Sequence, residues 1–235
     1  MTFEKPEDFY AVYDTHRTYV RAEVRRKHMR EFTRNIWAPA GFQANHRVLE
    51  LGCGVGLFLA YLQAMDVQDF TGVEMDPKTK EFMPESIAAH VHTTTMDAFL
   101  DDNAGEKFDR IVMLDVFEHF SYVEGVKVLQ KLGTFLALGG RIVLRTPNCA
   151  SPWGLQFQFN DLTHKAMYAP GNIGHVALAA GMVGHGCLPY SRGSRVRRAT
   201  SQSVEWLLDR LLTDPPPIWT SNFITIIGNA DSSET

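Results

Sequence analysis

Short apolar runs alternate with segments of helical spacing along most of this chain. Val48-Leu49 leads through Glu50-Leu51-Gly52-Cys53-Gly54-Val55-Gly56 into Leu57-Phe58-Leu59-Ala60-Tyr61-Leu62, which predicts a buried strand, a glycine turn and a helix start. Phe70-Thr71-Gly72-Val73 predicts a second strand ending at Glu74, Val91 to Thr95 a third, and Phe108 to Asp115 a fourth. Leu138-Gly139-Gly140-Arg141 reads as a turn into a fifth, Ile142-Val143-Leu144, and Asn222 to Gly228 is a good final strand. Between strands the signals are helical. Asp76-Pro77 reads as an N-cap with proline at the first helical position, and Ser121 with Glu124 forms a capping box. The helix that follows presents Val126, Leu129, Leu132, Phe135 and Leu136 on one face, and Val20, Val24, Phe32 and Ile36 predict an earlier amphipathic helix. Alternation of this kind predicts an α/β domain, a parallel sheet covered on both faces.

Composition narrows the class. With 235 residues and 45% hydrophobic content the chain can bury a sizeable core. No stretch approaches the roughly 18 apolar residues of a membrane span, and the N-terminus lacks a signal-peptide layout, so the expected location is the cytoplasm and no membrane partner is expected. Cys53, Cys149 and Cys187 form no CxxC pair, which indicates neither a disulfide framework nor a zinc site, and no metal is expected. The formal charge of −4 hides an asymmetry: Arg17 to Arg34 carries +5 and Ser191 to Arg198 carries +4. The first tract is either a solvated basic face or a docking surface for an acidic or phosphate-bearing partner. Basic and aromatic residues do not interleave as they do in a nucleic-acid groove, so nucleic acid is not the expected partner.

The glycine turn carries the first chemical signal. Glycine lacks a Cβ and tolerates positive φ, so backbone can approach a ligand closely and leave helix N–H groups facing it. A dinucleotide fingerprint wants its third glycine five residues after the first, whereas here the glycines fall at 52, 54 and 56 and position 57 is leucine. The acid-x-Gly-x-Gly-x-Gly run of Glu50 to Gly56 resembles the first motif of class I S-adenosylmethionine (SAM)-dependent methyltransferases. Glu74 at a strand end, Asp97 after the third strand, the Phe108-Asp109 opening and Glu118-His119 close of the fourth, and the Gly139-Gly140 turn repeat that family's motifs in order.

The resemblance implies a Rossmann-like, seven-stranded, mostly parallel sheet with a reversed last strand. It also implies a helical lid over residues 1–40 and a catalytic domain over 41–230 with a substrate cover at about 149–220, while the polar residues 231–235 read as a disordered tail. SAM is the implied cofactor, held by Glu50, Gly52, Cys53, Gly54, Gly56, Glu74, Met75, Asp97, Ala98, Leu114 and Asp115. Glu74 would bind ribose and Asp97 the adenine amino group, although a strand-end carboxylate and a turn aspartate are ordinary structural features as well. Tyr10, Tyr13 and Tyr19 are either core aromatics or pocket-facing.

Beyond the shared core, Asn160-Asp161-Leu162-Thr163-His164 precedes Met167-Tyr168-Ala169-Pro170 and a short helix. This resembles an Asp-x-Thr-His segment of bacterial methyltransferases acting on sugars and glycans, which implies that Asp161, His164 and Tyr168 contact the acceptor. His119 is the candidate base, an imidazole being half-ionised near neutral pH, or else a structural histidine near a helix start. The expected activity is methyl transfer to a small acceptor, most of all O-methylation of a sugar, glycan intermediate or natural product. A protein or RNA methyltransferase docking through the basic helix and a non-catalytic partner subunit are the alternatives. The acceptor and the oligomeric state are not legible.

Overall fold

The computed structural model describes residues 4, 6–9 and 19–230. Tyr10, Tyr13, Arg17 and the tail 231–235 therefore lie outside the described residues. The first long helical segment begins with α1 (Arg26–Phe32), runs on through a π-helical turn at Thr33–Trp37 and ends at Ala38–Ala40, where Gly41 takes φ +62°. There follow β1 (Val48–Leu51), α2 (Leu57–Ala64), β2 (Phe70–Glu74), α3 (Glu85–Ala88), β3 (Val91–Thr93), α4 (Met96–Asp102) and β4 (Phe108–Leu114). The second half holds α5 (Tyr122–Gly133), β5 (Leu136–Pro147), α6 (Pro152–Phe159), α7 (Pro170–Ala179), β6 (Met182–Pro189), α8 (Arg195–Leu211) and β7 (Asn222–Asn229).

The seven strands form one sheet in the order β3-β2-β1-β4-β5-β7-β6, parallel from β3 to β5, with β7 antiparallel to both its neighbours. Residue alternation sends the two sets of strand side chains into two cores. Leu49, Leu51, Ile111, Met113, Ile142 and Leu144 join Leu129 and Leu132 of α5 and Ile173 of α7 on one face. Val48, Val112, Val143 and Ile224 join Phe58, Leu59 and Leu62 of α2 and Ile36 on the other. At about 1.5–3 kcal/mol for each fully buried large aliphatic side chain, these two layers dominate the fold's stability.

Local signals produce the expected caps. Asp76 accepts from the Lys78 N–H at 3.0 Å, and Ser121 and Glu124 exchange their side-chain and backbone bonds at 3.3 and 2.8 Å. Three expectations need correcting. Val20 is 72% exposed and precedes the helix, which starts only at Arg26, so Phe32 and Ile36 carry the buried stripe with Val24 packed beside it. Residues 138–141 continue β5 instead of preceding it, with Gly139 at φ +70° and a register shift opposite Phe108–Arg110 marking a bulge. Finally, the stretch expected to form a substrate cover contains α7 and the edge strand β6, both part of the shared sheet architecture. Among the described residues no helix is long and apolar enough to cross a membrane.

Candidate active site

Strand order reverses direction around β1, whose neighbours β2 and β4 are joined by connections on opposite sides, and ligands of open α/β sheets bind at that point outside the carboxyl ends. Here a cleft of about 640 Å³ opens, lined by the glycine turn, Glu50, Glu74, Asp115, His119 and Arg145. A larger groove of about 840 Å³ lies between α6 and α8, but its walls include none of the motif carboxylates. We therefore place the site in the first.

The three glycines of the turn do different jobs. A Cβ on Gly52 would sit 2.5 Å from Val116 Cγ2, and one on Gly56 would sit 2.7 Å from Ile87 Cγ2. Gly54 has φ +54° and a Cβ there would meet nothing within 4 Å, so its α-carbon faces open cleft. Two glycines close the packing and the middle one leaves room for a ligand. Cys53 beside them is buried, and burial together with Glu50 and Glu74 pushes its thiol up, so it stays protonated and inert.

Glu74 ends β2 with both oxygens aimed into the turn: Oε2 accepts from the Gly54 N–H at 2.8 Å and Oε1 from the Asp76 N–H at 3.0 Å. A carboxylate has about four lone-pair sites, so two remain for ligand hydroxyls. Glu50 is 2% exposed, and among the described residues its Oε2 has no hydrogen-bond partner. Burial pushes its carboxyl well above the usual range, Arg145 opposes that rise and Glu74 adds to it. An orphaned carboxylate oxygen at the floor of a cleft suits a ligand bearing a positive amino group. Together with the open Gly54 and the Glu74 lone pairs, it fits SAM, which carries both an ammonium and a ribose diol.

Asp115 sits at φ +58°, a left-handed turn that aspartate tolerates better than most residues, and this swings its carboxylate toward β5. Arg145 Nε donates to Asp115 Oδ1 at 2.8 Å and Nη2 to Oδ2, while Nη1 donates to Tyr190 Oη at 3.0 Å. Tyr190 in turn donates to Glu31 Oε1 at 2.8 Å, tying α1 to the cleft wall. Burial works against the Arg145 charge, and Asp115 and Tyr190 more than offset it.

His119 lines the same cleft from the short 3-10 turn after β4. Its Nδ1 lies 3.0 Å from Thr163 Oγ1 and 3.3 Å from the Thr163 carbonyl. Thr163 Oγ1 already gives its proton to Asp161 Oδ1, so it accepts from His119, which assigns the proton to Nδ1 and the lone pair to Nε2. The Lys165 and Ala166 N–H groups close on the Glu118 carbonyl at 2.9 and 3.2 Å, clamping the 160–166 loop onto the Glu118-His119 turn. His164 then packs edge-on to His119 at 4.8 Å between ring centroids. Glu118 itself is 1% exposed, and among the described residues neither carboxylate oxygen has a hydrogen-bond partner. Burial, reinforced by Asp115, pushes its carboxyl well above the usual range, with Arg145 opposing the rise.

Of the residues expected at the cofactor, Glu50, Gly52, Cys53, Gly54, Glu74, Met75, Leu114 and Asp115 line the cleft. Gly56 lies behind it as the start of α2. Asp97 and Ala98 stand away from the lining, Asp97 pairing with Lys131 at 3.7 Å on the surface, while Thr94 and Met96 occupy the wall instead. Tyr168, expected to touch the acceptor, is fully buried, its ring tilted against Phe117 at 5.0 Å with its hydroxyl toward the Phe120 carbonyl. Tyr19 does line the cleft and donates to Asp76 Oδ2 at 2.7 Å. Arg145 and Lys165 are lining residues that the sequence did not single out. The position of Arg145 directly after the apolar run Ile142 to Leu144 was the available signal.

This architecture is shared with known methyltransferases. A solved SAM-dependent methyltransferase from Archaeoglobus fulgidus is 19% identical, with a TM-score of 0.65 over 85% of this chain and 91% of its own. Another, from Clostridium acetobutylicum, is 12% identical with a TM-score of 0.60 over 95% and 98%. An O-methyltransferase from neocarzinostatin biosynthesis, solved with SAM and 2-hydroxy-5-methyl naphthoic acid, is 14% identical at a TM-score of 0.58; this chain is covered over 95% but spans only 60% of that one. No curated protein matches the sequence. The family model described as a methyltransferase domain matches residues 16–199, most of the chain, and the chain therefore belongs to that family, the class I SAM-dependent methyltransferases.

Proposed function

We propose that this methyltransferase transfers the methyl group to a hydroxyl of a small, polyhydroxylated acceptor, a sugar, glycan intermediate or related natural product. The observation that carries the reading is His119, which lines the cleft with its Nδ1 held by Thr163. The Asp161 and His164 side chains of the 160–166 loop pack beside it without lining the cleft. Such a set suits an acceptor with several hydroxyls better than a flat apolar one. When bound, SAM supplies an electrophilic methyl on a sulfonium. The glycine turn, Glu50 and Glu74 would hold it, and His119 Nε2 is the group placed to take the acceptor's hydroxyl proton. The protein's remaining task is alignment and exclusion of water, which we assign to Tyr19, bonded to Asp76 at the cleft wall. Similarity to O-methyltransferases supports the choice of oxygen as the atom methylated. The three free cysteines agree with a cytoplasmic protein.

A screen of SAM consumption against sugars, nucleotide sugars, phenols and amines tests this. Turnover is expected on polyhydroxylated compounds, and His119→Ala is expected to lower it by about 10² while leaving SAM affinity nearly unchanged. Turnover confined to amines or to protein or RNA would overturn it.

A further inference from the structure

The groove between α6 and α8 is not used by the transfer step, and it gathers the second basic tract of the sequence. Its volume of about 840 Å³ is that of a small-molecule site. The floor is fixed: Ile218 and Trp219 are buried, the Ser151 hydroxyl donates to the Trp219 carbonyl at 2.6 Å, and Trp219 Nε1 donates to Asp209 Oδ1 at 2.8 Å. On one wall Trp153 and Phe157, four residues apart on α6, present flat rings that stay 54% and 38% exposed. The facing wall is α8, which sets Val204 and Leu208 beside Thr200, Ser201 and Glu205 and buries none of them.

One end of the groove is basic. Arg192, Arg197 and Arg198 line it, and the acid in the lining, Glu205, stands about 10 Å along α8 from Arg198 at 1.5 Å per residue. Among the described residues Arg197 and Arg198 pair with no carboxylate, Arg198 donating to the Gly193 carbonyl at 2.8 Å instead. Arg192 Nε lies 3.7 Å from Glu31 Oε1, and its guanidinium lies over the Tyr190 and Phe157 rings at 5.4 and 5.9 Å. Arg34 Nη2 and Asn35 Nδ2 both donate to the Ser191 carbonyl, and Asn35 Oδ1 accepts from the Ser191 N–H at 3.1 Å, so the helix from α1 holds this end in place. Burial and the nearby Arg198 charge both pull the Arg34 guanidinium below its ordinary value. Crowded cations of this kind are relieved by an anion carrying more than one charge.

We propose that this groove binds a nucleoside diphosphate, its base between the α6 rings and α8 and its phosphates on Arg192, Arg197 and Arg198. Aromatic faces stack on bases, and arginine forks match phosphate oxygens. Gln156, Thr200, Ser201 and Glu205 supply the donors and acceptors that a base edge and a ribose require. An alkyl anion would satisfy the arginines but leave Glu205 against its tail. A nucleic-acid strand calls for aromatics interleaved with basic residues along a track, which this hollow does not provide. The basic end is the one beside the cofactor cleft, because Arg192 lies over Tyr190, whose hydroxyl receives a bond from Arg145 of the cleft lining at 3.0 Å. A sugar carried on the second phosphate would therefore lie on the cleft side, which is the form the acceptor reading calls for. Binding of the diphosphate itself stands whatever atom is methylated.

Titration calorimetry of the full chain with ADP, GDP, CDP, UDP and dTDP, with the matching nucleosides and inorganic diphosphate as controls, tests the site, and quenching of tryptophan fluorescence gives a parallel reading. Expected is one nucleoside diphosphate per chain at micromolar affinity for at least one base. It should bind about tenfold or more tighter than its nucleoside or diphosphate alone, and more weakly as salt rises. Trp153→Ala and Arg197→Gln, both at exposed positions, are each expected to cost about tenfold or more in that affinity while SAM-product affinity stays within about threefold. Gly54→Leu, which blocks the cofactor turn, should leave nucleotide binding unchanged; its loss there would put the nucleotide in the cofactor cleft and overturn the proposal. So would diphosphate binding as tightly as any nucleotide, affinity unchanged in both Trp153→Ala and Arg197→Gln, or saturation by RNA or anionic vesicles with none by any of the five nucleotides. A chain that binds the nucleotide yet methylates no hydroxyl, sugar conjugates included, would sink the acceptor reading while keeping the groove. Hydroxyl methylation by a chain that binds no nucleotide would do the reverse.

Discussion

Gly54→Leu is expected to leave a folded protein that no longer binds its cofactor. The residue sits at φ +54°, and a Cβ there meets nothing within 4 Å, so the main cost to the fold is the left-handed backbone, about 1–2 kcal/mol. Gly52→Ala carries the same backbone cost at φ +71° and in addition drives a Cβ to 2.5 Å from Val116 Cγ2. Overpacking of that kind adds about 1–3 kcal/mol, so the smaller substitution should be the more destabilising by roughly that amount. Binding runs in the opposite order. A leucine projecting into the 640 Å³ cleft occupies the ligand's approach to the turn, and a loss of 100-fold or more in affinity, about 2.7 kcal/mol, is expected for the demethylated product of SAM. Urea denaturation measures the first ordering and titration calorimetry the second. Parent-like affinity in Gly54→Leu would place the cofactor elsewhere, and equal stability of the two variants would remove the packing distinction between the glycines.

Removal of the Glu74 carboxylate in Glu74→Ala leaves the Gly54 and Asp76 N–H groups without their acceptor, and an affinity loss above tenfold, about 1.5–3 kcal/mol, is expected by calorimetry. Burial raises the Glu50 carboxyl above the ordinary glutamate range, and a cationic amino group bound beside it should lower it again and release protons. Titrations in buffers of different ionisation enthalpy would show this release, and Glu50→Gln should abolish it. The same residue sets a sign for stability. A carboxyl whose folded value is raised stabilises most below its unfolded value near 4.5 and loses that contribution as pH climbs through the folded value, so the decline of Tm with rising pH should be shallower in Glu50→Gln. For the acceptor end, Asp161→Ala and His164→Ala should each lower kcat/KM by about tenfold or more on the identified substrate without altering SAM affinity more than about threefold.

The parts of the fold legible in the sequence are those where local chemistry and burial agree. Val48-Leu49, Ile111-Val112-Met113 and Ile142-Val143-Leu144 are buried on both faces and read as apolar runs, and Ser121 with Glu124 caps α5 as spelled. β6 was not legible, because an edge strand with Gly184, Gly186 and mostly exposed side chains has neither a run nor a clean alternation. α8 shows a strong periodicity yet buries no residue, and Val204, Trp206 and Leu207 stay about half exposed. At the site, the motif carboxylates stood close in sequence to the glycine turn and its partner strands. The contact of His119 with Thr163 joins residues 44 positions apart, and no local pattern encodes it. Tyr168 shows the converse: it flanks a polar segment and still faces inward, because Phe117 and Gly125 leave a slot for its ring.

The most direct test of the account follows a methyl group labelled with carbon-13 from SAM into product. Incubated with the acceptor found by screening, the full chain should form demethylated cofactor and methylated product in equal amounts, with the label's NMR shift that of a methyl ether on a polyhydroxylated molecule. Label recovered on nitrogen or carbon, or on protein or RNA with none on any hydroxylated small molecule, would contradict it.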